Sequence, residues 1–119
     1  MKDVNTGLFI PAHPFGNVRI FTGTLDDLRT DLDCRLLEFV YPYRAHEALP
    51  QDSNYILVGD EESRLREHEL NWRATMLFGY PYPLAGDMVL FRDDANGIKS
   101  IQSDLFVTLI KAYINKGEQ

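Results

Sequence analysis

Cysteine is nearly absent from this sequence: Cys34 is the only one among 119 residues. An intramolecular disulfide is therefore excluded, and a single free thiol fits a reducing compartment. Long apolar runs are lacking as well. No segment approaches the roughly 20 apolar residues that a membrane-spanning helix needs, and residues 1–6 contain no apolar stretch of signal-peptide length. We therefore expect a soluble, cytoplasmic protein without a membrane partner.

Positive charge is scarce. Twelve Lys and Arg residues against 18 Asp and Glu residues give a formal net charge of −6. Direct nucleic-acid binding is disfavoured, because basic side chains supply most of that affinity. Acidic clusters could instead imitate the phosphates of DNA, but arginines are interleaved with them, which favours an ordinary mixed-charge face. The negative charge is compatible with a basic protein as the binding partner.

The remaining composition is that of a globular protein, with 45% hydrophobic and 25% charged residues. Residues 1–119 are predicted to form a single domain, since no repeat or linker divides them. Apolar or alternating runs bounded by Pro, Gly and Asn predict five strands, at residues 7–10, 18–22, 35–41, 54–58 and 86–91. In the second strand, Val18 and Ile20 are expected on one face and Arg19 on the other.

Capping residues and helical spacing predict three helices, over residues 25–32, 72–78 and 104–116. Thr24 begins the first helix, with Asp27 completing a capping box. Asn71 caps the second helix, Gly79 ends it, and Ser103 caps the third. The buried face of the third helix is predicted to contain Leu105, Phe106, Leu109, Ile110 and Tyr113.

The order of these elements predicts the fold class. Strands do not alternate regularly with long helices, so a doubly wound parallel sheet is disfavoured. We expect an α+β fold, with a mainly antiparallel twisted sheet of about five strands and the C-terminal helix packed on one face. Segments 42–53 and 60–69 are predicted to be loops, the latter a charged turn or solvated connection. Strand 86–91 is a candidate edge strand that could pair with its copy across a dimer axis, so the sequence is compatible with a homo-oligomer.

Two tyrosine–proline segments give the best interface prediction: Tyr41-Pro42-Tyr43 and Tyr80-Pro81-Tyr82-Pro83. Tyrosine offers a large ring, few rotamers and a polar tip, which suits contact surfaces. Proline stiffens the backbone and reduces the entropy lost on binding. Tyr41, Tyr43, Tyr80 and Tyr82 are therefore predicted to contact a partner protein, although two packed loops would also explain them.

A small-molecule site is a second candidate, formed by Asn71, Trp72, Arg73 and Asp87. A tryptophan beside an arginine could stack on a nucleotide-like ligand. No P-loop or Gly-x-Gly-x-x-Gly motif is present, so such a site would be non-standard. The structural alternative is that Asn71 caps a helix and Trp72 lies in the core.

Catalytic and metal-binding motifs are not found. The three histidines, His13, His46 and His68, are each far in sequence from Cys34 and are predicted to lie on the surface or in loops. Cys34 itself is predicted to be a small buried thiol rather than a nucleophile. The carboxylates of Asp60-Glu61-Glu62 and Asp87 could perform acid–base chemistry or hold a cation, but a charged turn explains them equally well. We therefore predict no catalytic residue, metal or cofactor.

Several short motifs occur in a recognisable order. They are Leu25-Asp26-Asp27-Leu28, the strand around Glu38, Ile56-Leu57-Val58-Gly59-Asp60-Glu61-Glu62, Asn71 with Ala74-Thr75, and Ala85-Gly86-Asp87-Met88-Val89-Leu90. This order resembles a domain-of-unknown-function family of small proteins from phages, plasmids and actinobacteria, over residues 7–92. The chain departs from that pattern at Asp33-Cys34, where two glycines are expected, and at the Tyr80–Pro83 insertion. The C-terminal helix lies outside the match.

The resemblance brings no established activity, but it implies a mobile-element context in which small acidic proteins bind host factors. We therefore expect a non-enzymatic binding protein that engages a host protein and could inhibit a host defence system. A small-molecule, nucleotide-like binder is the alternative. A carboxylate-dependent hydrolase is the third and least favoured hypothesis.

Overall fold

The computed structural model describes residues 3–44, 46, 49–51 and 53–117, with side chains described as far as Lys111. Within this part of the chain there are eight strands and three helices. The strands are β1 (Asn5–Ile10), β2 (Arg19–Gly23), β3 (Leu37–Val40), β4 (Asn54–Asp60), β5 (Leu70–Asn71), β6 (Leu84–Ala85), β7 (Met88–Asp94) and β8 (Gly97–Lys99). The helices are α1 (Leu25–Leu32), α2 (Trp72–Phe78) and α3 (Ser103–Gly117).

The main sheet is antiparallel, with strand order β2-β1-β7-β4-β3 and with β8 paired to the end of β7. This confirms the predicted α+β class. Across the sheet, Leu8 is paired with Leu90, Leu90 with Leu57, and Leu57 with Val40. Directly paired residues point to the same side of a sheet, so this row of aliphatic side chains defines one face.

Each face of the sheet is covered by helices. The face defined by Leu8, Leu57 and Leu90 packs in one buried cluster with residues of α2 and with Leu105, Phe106 and Leu109 of α3. The predicted packing of the C-terminal helix on one face is confirmed, although the side chain of Tyr113 lies outside the described residues. The opposite face packs in a second cluster with Leu28 of α1. Because both faces are covered, the central strands are apolar along their length.

The ends of α1 and α2 follow the predicted capping chemistry, whereas α3 includes Ser103, the residue predicted to precede it as a cap. Thr24 Oγ1 accepts a hydrogen bond from the Asp27 N–H at 3.1 Å, and Asp27 Oδ2 accepts one from the Thr24 N–H at 2.8 Å. Asn71 Oδ1 accepts from the Ala74 N–H at 3.0 Å. Gly79 ends α2 with φ of 68°, a left-handed conformation that glycine adopts without steric cost.

One strand prediction was wrong. Strand 86–91 is not an edge: β7 lies in the middle of the sheet, between β1 and β4, and the edges are β2 and β3. Its continuous apolar run is typical of a strand covered on both faces. Pairing through this strand across a dimer axis is therefore excluded by its position.

The alternation predicted for the second strand is confirmed: Ile20 is paired with Leu8, whose buried cluster also contains Val18, and Arg19 is paired with Phe9 of the opposite face. Within β2 the buried side chain is Phe21, and Ile20 is half-exposed. Phe21 packs edge-on against Phe91, with ring centroids 6.1 Å apart and an interplanar angle of 90°. Gly7, paired with Phe21, leaves space for the Phe91 ring, since a Cβ there would lie 2.8 Å from Phe91 Cε1. Arg19 lies on the same face, with its guanidinium carbon 3.9 Å from the centre of the Phe9 ring.

The short strands β5, β6 and β8 were not predicted, because two or three residues are too few to show a period. Among the described residues, none of the helices has both the length and the apolar character needed to cross a bilayer.

Candidate functional site

The two tyrosine–proline segments lie side by side in the structure, although Tyr41 and Tyr80 are 39 residues apart in sequence. The Tyr80 hydroxyl donates a hydrogen bond to the Tyr41 carbonyl oxygen. The Tyr80 ring lies 6.0 Å from that of Tyr43 and 5.6 Å from that of Tyr82. Tyr41, Tyr43 and Tyr82 are 56%, 68% and 56% exposed. We call these four residues the tyrosine cluster.

The C-terminal end of α2 positions the tyrosine cluster. The Tyr43 and Arg44 N–H groups both donate to the Phe78 carbonyl oxygen, at 3.0 and 2.9 Å. The chain then turns at Gly79, where a Cβ would lie 2.2 Å from the Arg44 carbonyl oxygen. The segment around Tyr43 is thus fixed by backbone hydrogen bonds. The prolines beside the tyrosines restrict the backbone further.

A cleft of about 180 Å³ adjoins the tyrosine cluster. We call it the acidic–aromatic cleft. Its lining includes the rings of Tyr80 and Tyr82, the carboxylates Glu38 and Glu61, and the buried apolar side chains Val40, Leu84 and Met88. Leu65 also lines it and is 84% exposed, although it is the only apolar residue of segment 60–69. The Arg64 guanidinium donates to the Pro83 carbonyl oxygen and so joins segment 60–69 to the tyrosine segment.

The electrostatics of the cleft disfavour the charged form of Glu38. Burial raises the pKa of the Glu38 carboxyl above its usual range, and the neighbouring Glu61 carboxylate raises it further. Arg64 opposes this pKa shift only in part. Burial also raises the pKa of Tyr80, with Tyr82 and Glu38 adding to the effect. Neither Glu38 nor Glu61 forms an ion pair with any arginine or lysine in the described part of the chain.

Three of the four residues predicted to bind a small molecule instead hold the loop that follows β1. The Asn71 amide donates to the carbonyl oxygens of Ile10 and Gly86, at 2.8 and 2.9 Å. Arg73 donates to the carbonyl oxygens of Pro11 and His13, both at 2.8 Å. Asp87 Oδ1 accepts from the Ala12 N–H at 2.8 Å. We call Asn71, Arg73 and Asp87 the loop clamp.

The loop clamp and Trp72 have different surroundings. Asn71 is fully buried, and its amide group is hydrogen-bonded within the fold. Trp72 is 56% exposed, so the alternative that places it in the core is wrong. It begins α2, and Met76, one turn later on the same side of the helix, is also exposed. The cap function predicted for Asn71 is confirmed.

A second cavity, of about 280 Å³, lies between segment 60–69 and the loop after β1. Its polar lining includes Asp60, Arg66, His68 and Asp87. Asp60 is buried, accepts from Arg66 at 2.8 Å and also accepts from the Glu62 N–H at 2.8 Å. Segment 60–69 is therefore a structured turn with its own hydrogen bonds, rather than a solvated connection.

The chemistry of this cavity does not match a catalytic relay. Ser63 Oγ lies 3.1 Å from His68 Nδ1, and the same Nδ1 atom lies 3.9 Å from Asp60 Oδ2. A Ser-His-Asp relay uses one ring nitrogen for each partner, and here both partners face Nδ1. Within the described residues, no group of three or more His, Cys, Asp or Glu side chains is arranged to hold a metal ion.

Cys34 lies just beyond α1, is free and is partly buried, so the predicted buried thiol is more accessible than expected. Burial of the thiol, followed by the nearby Asp60 carboxylate, raises its pKa. The thiol therefore stays protonated at neutral pH and is a weak nucleophile.

Three cleft residues were missed by sequence reasoning: Glu38, Arg64 and Leu65. Glu61 was considered only as part of a catalytic or cation-holding group, and not as a neighbour of the tyrosines. Two local signals were available. Glu38 interrupts the apolar run Leu37–Val40, and Leu65 is a lone aliphatic residue in a charged segment. Their proximity to the tyrosines depends on the pairing of β3 with β4 and on the path of the chain after α2, neither of which sequence spacing reveals.

The sequence matches no protein-family profile and no curated protein. Among solved structures, the fold is similar to part of the crystal structure of the small RNA methyltransferase HEN1, with a TM-score of 0.66 at 15% identity. The similarity covers 92% of this chain but only 16% of the HEN1 chain. At this level of identity, the similarity shows only that this chain shares its fold with that part of the HEN1 chain.

Proposed function

We propose that this chain is a non-enzymatic protein-binding domain and that the tyrosine cluster is its contact surface. The observation that carries the proposal is the convergence of two distant tyrosine–proline segments, which places the exposed rings of Tyr43 and Tyr82 against the partly buried Tyr80 ring. Exposed aromatic residues that adjoin one another are uncommon on monomer surfaces and are typical of interaction sites.

The rigidity of the tyrosine cluster supports this role. Tyr80 is held by its hydrogen bond to the Tyr41 carbonyl oxygen, and Tyr43 by the bond from its N–H to Phe78. Binding loses less conformational entropy when the contacting segment is already ordered in the free protein. The cluster can therefore contribute ring contacts to a complex without first having to order its backbone.

The alternatives are less well supported by the geometry. Three of the residues predicted to bind a small molecule hold the loop after β1, as described above. Among the carboxylates predicted for a hydrolase, Asp60 is bonded to Arg66 and Glu62 to Arg35. Those groups have roles in the fold.

The origin and partner of the chain rest on the family resemblance. The resemblance predicts that the chain is encoded by a phage or plasmid and that its partner is a protein of the host cell. It also predicts that binding inhibits a host defence system. The charge of −6 favours a partner with a basic surface.

The proposal can be tested by affinity capture from a bacterial host lysate, followed by binding measurements with each purified captured protein. The test variant is Tyr43→Ser/Tyr82→Ser, and the control is Phe15→Ser, which removes an 85% exposed ring elsewhere. We expect the double variant to weaken binding by at least roughly tenfold and the control to leave it unchanged. Equal affinity of the double variant and the unmodified chain would contradict the proposal.

A further inference from the structure

We infer that the acidic–aromatic cleft receives an arginine side chain from the bound partner. This inference rests on the proposed function and specifies its ligand chemistry. The partner segment would lie across the tyrosine cluster and insert one arginine between the rings and carboxylates of the cleft.

The lining of the cleft matches the two parts of an arginine side chain. The methylene stem is apolar and suits the buried side chains of Val40, Leu84 and Met88. The guanidinium group is planar and weakly hydrated, and it stacks on aromatic rings such as those of Tyr80 and Tyr82. Arginine is favoured over lysine because an ammonium group neither stacks in this way nor presents a planar fork of donors to carboxylates.

The carboxylates supply the charge complement. Glu38 and Glu61 line the same cleft, and neither forms an ion pair with a cation in the described part of the chain. Asp60, also in the lining, is already bonded to Arg66. Two carboxylates are therefore available to accept N–H groups from an incoming guanidinium.

The free chain holds Glu38 at an electrostatic disadvantage. Burial and the Glu61 carboxylate both disfavour its charged form, and the single nearby cation, Arg64, only partly offsets them. A guanidinium group inside the cleft would remove this disadvantage. A carboxylate that lowers the stability of the free chain but is favourable in the complex is expected at a binding site.

The cleft is also fixed in shape before binding. Arg64 bonds to the Pro83 carbonyl oxygen on one side, and Tyr80 bonds to the Tyr41 carbonyl oxygen on the other. Leu65 is strongly exposed in the lining and can contact the residue beside the arginine. The cleft is therefore suited to an arginine of the partner that has an apolar residue beside it.

The test is an NMR titration of the full chain with three blocked tripeptides, acetyl-Gly-Xaa-Gly-amide, in which Xaa is arginine, lysine or citrulline. Citrulline has nearly the shape of arginine without its charge. We expect the arginine peptide to shift the Leu84 and Met88 methyl signals and the Tyr80 and Tyr82 ring signals in a saturable way. The lysine peptide should bind more weakly, and citrulline at least tenfold more weakly.

The variant Glu38→Gln/Glu61→Gln should abolish the preference for arginine over citrulline. The control Glu67→Gln/Asp104→Asn removes two exposed carboxylates outside the cleft lining and should preserve it. Equal shifts with arginine and citrulline, or an equal loss in both variants, would overturn the inference. So would arginine-induced shifts at other residues.

This outcome is separable from that of the proposed function. If the tyrosine variant loses the partner while Glu38→Gln/Glu61→Gln binds it normally, the binding surface stands and the arginine site is wrong. If the tyrosine variant binds the partner normally, the proposed function fails whatever the peptides show.

Discussion

The two ends of α2 use their polar and aromatic residues differently. At its beginning, Asn71 is bonded to the last residue of β1, and Arg73 and Asp87 to backbone groups of the loop that follows it. Beyond its end, the tyrosine cluster is exposed and the neighbouring carboxylates Glu38 and Glu61 have no ion-pair partner among the described residues. Residue types that suggest binding are found at both ends. At the beginning of α2 the polar ones are bonded within the fold and only the Trp72 ring is left exposed without such a bond among the described residues, whereas beyond its end both the rings and the carboxylates are accessible.

This comparison shows that the hydrogen-bond partners of a polar side chain indicate its role. A side chain bonded within the fold has a structural role, and one without such a partner is available for binding. A buried polar group almost always has a partner inside the fold, and an asparagine in a helix cap commonly does. Asn71, the buried member of the loop clamp, fits that rule. The carboxylates Glu38 and Glu61 of the acidic–aromatic cleft are exposed and have no ion-pair partner in the described part of the chain, and the pKa of Glu38 is raised by burial and by Glu61.

The largest expected effect concerns the loop clamp. Asn71→Leu should lower the free energy of unfolding by about 3 kcal/mol or more, because it leaves two buried carbonyl oxygens and one N–H group without partners. Urea denaturation followed by circular dichroism measures the change. Asn17→Leu, at an exposed position, is the matched control and should change stability by less than about 0.5 kcal/mol. A small effect of Asn71→Leu would break the comparison.

The next largest effect is expected for Arg73, and it should be confined mainly to the loop after β1. Arg73→Gln should lower stability by about 1.5 kcal/mol, since the bonds to the carbonyl oxygens of Pro11 and His13 are lost. Hydrogen exchange should rise at residues 12–16 more than elsewhere. Asp87→Asn keeps an oxygen that can accept from the Ala12 N–H and should leave exchange in this loop nearly unchanged. Equal effects of the two substitutions would contradict the role assigned to the Arg73 side chain.

At the other end of α2, the same kind of measurement should show almost nothing. Tyr43→Ser should change the free energy of unfolding by less than about 0.5 kcal/mol, because the ring is mostly exposed. Its effect should appear in partner binding instead. A loss of stability as large as that of Arg73→Gln would show that the tyrosine cluster belongs to the core.

The smallest expected effect is that of Glu38→Gln, which should raise the stability of the fold instead of lowering it. Since the pKa of Glu38 is raised in the folded chain, the folded state keeps the proton to a higher pH than the unfolded state does. Stability therefore falls as pH rises through the window between those two pKa values. Glu38→Gln should slightly raise the Tm above this window and flatten the dependence, in melting curves recorded from about pH 4 to 7. A lower Tm at neutral pH would show that the charge stabilises the fold.

The capping residues and the boundaries of α1 and α2 could be predicted from the sequence, whereas the positions of the strands within the sheet could not. The capping box at Thr24 and the Asn71–Gly79 boundaries of α2 depend on residues a few positions apart, and they were predicted correctly. The central position of β7 depends on pairing with strands about 80 and 30 residues earlier, which no spacing rule encodes. The same limit applies to the site. The tyrosines were identified from their proline neighbours, but Glu38 joins them only through sheet pairing.

The order of the strands has a consequence for synthesis of the chain. β7 separates the β1–β2 pair from the β3–β4 pair, yet it is made after all four of them. Two-stranded units are marginally stable alone, so a nascent chain that ends before Met88 has two hairpin-like pieces with uncovered apolar faces. Folding is then expected to wait for the central strand and to be slow, because its contacts are distant in sequence. A ribosome-stalled chain whose part outside the exit tunnel ends near residue 85 should be protease-sensitive, and one whose part outside the tunnel also includes β7, β8 and α3 should be resistant.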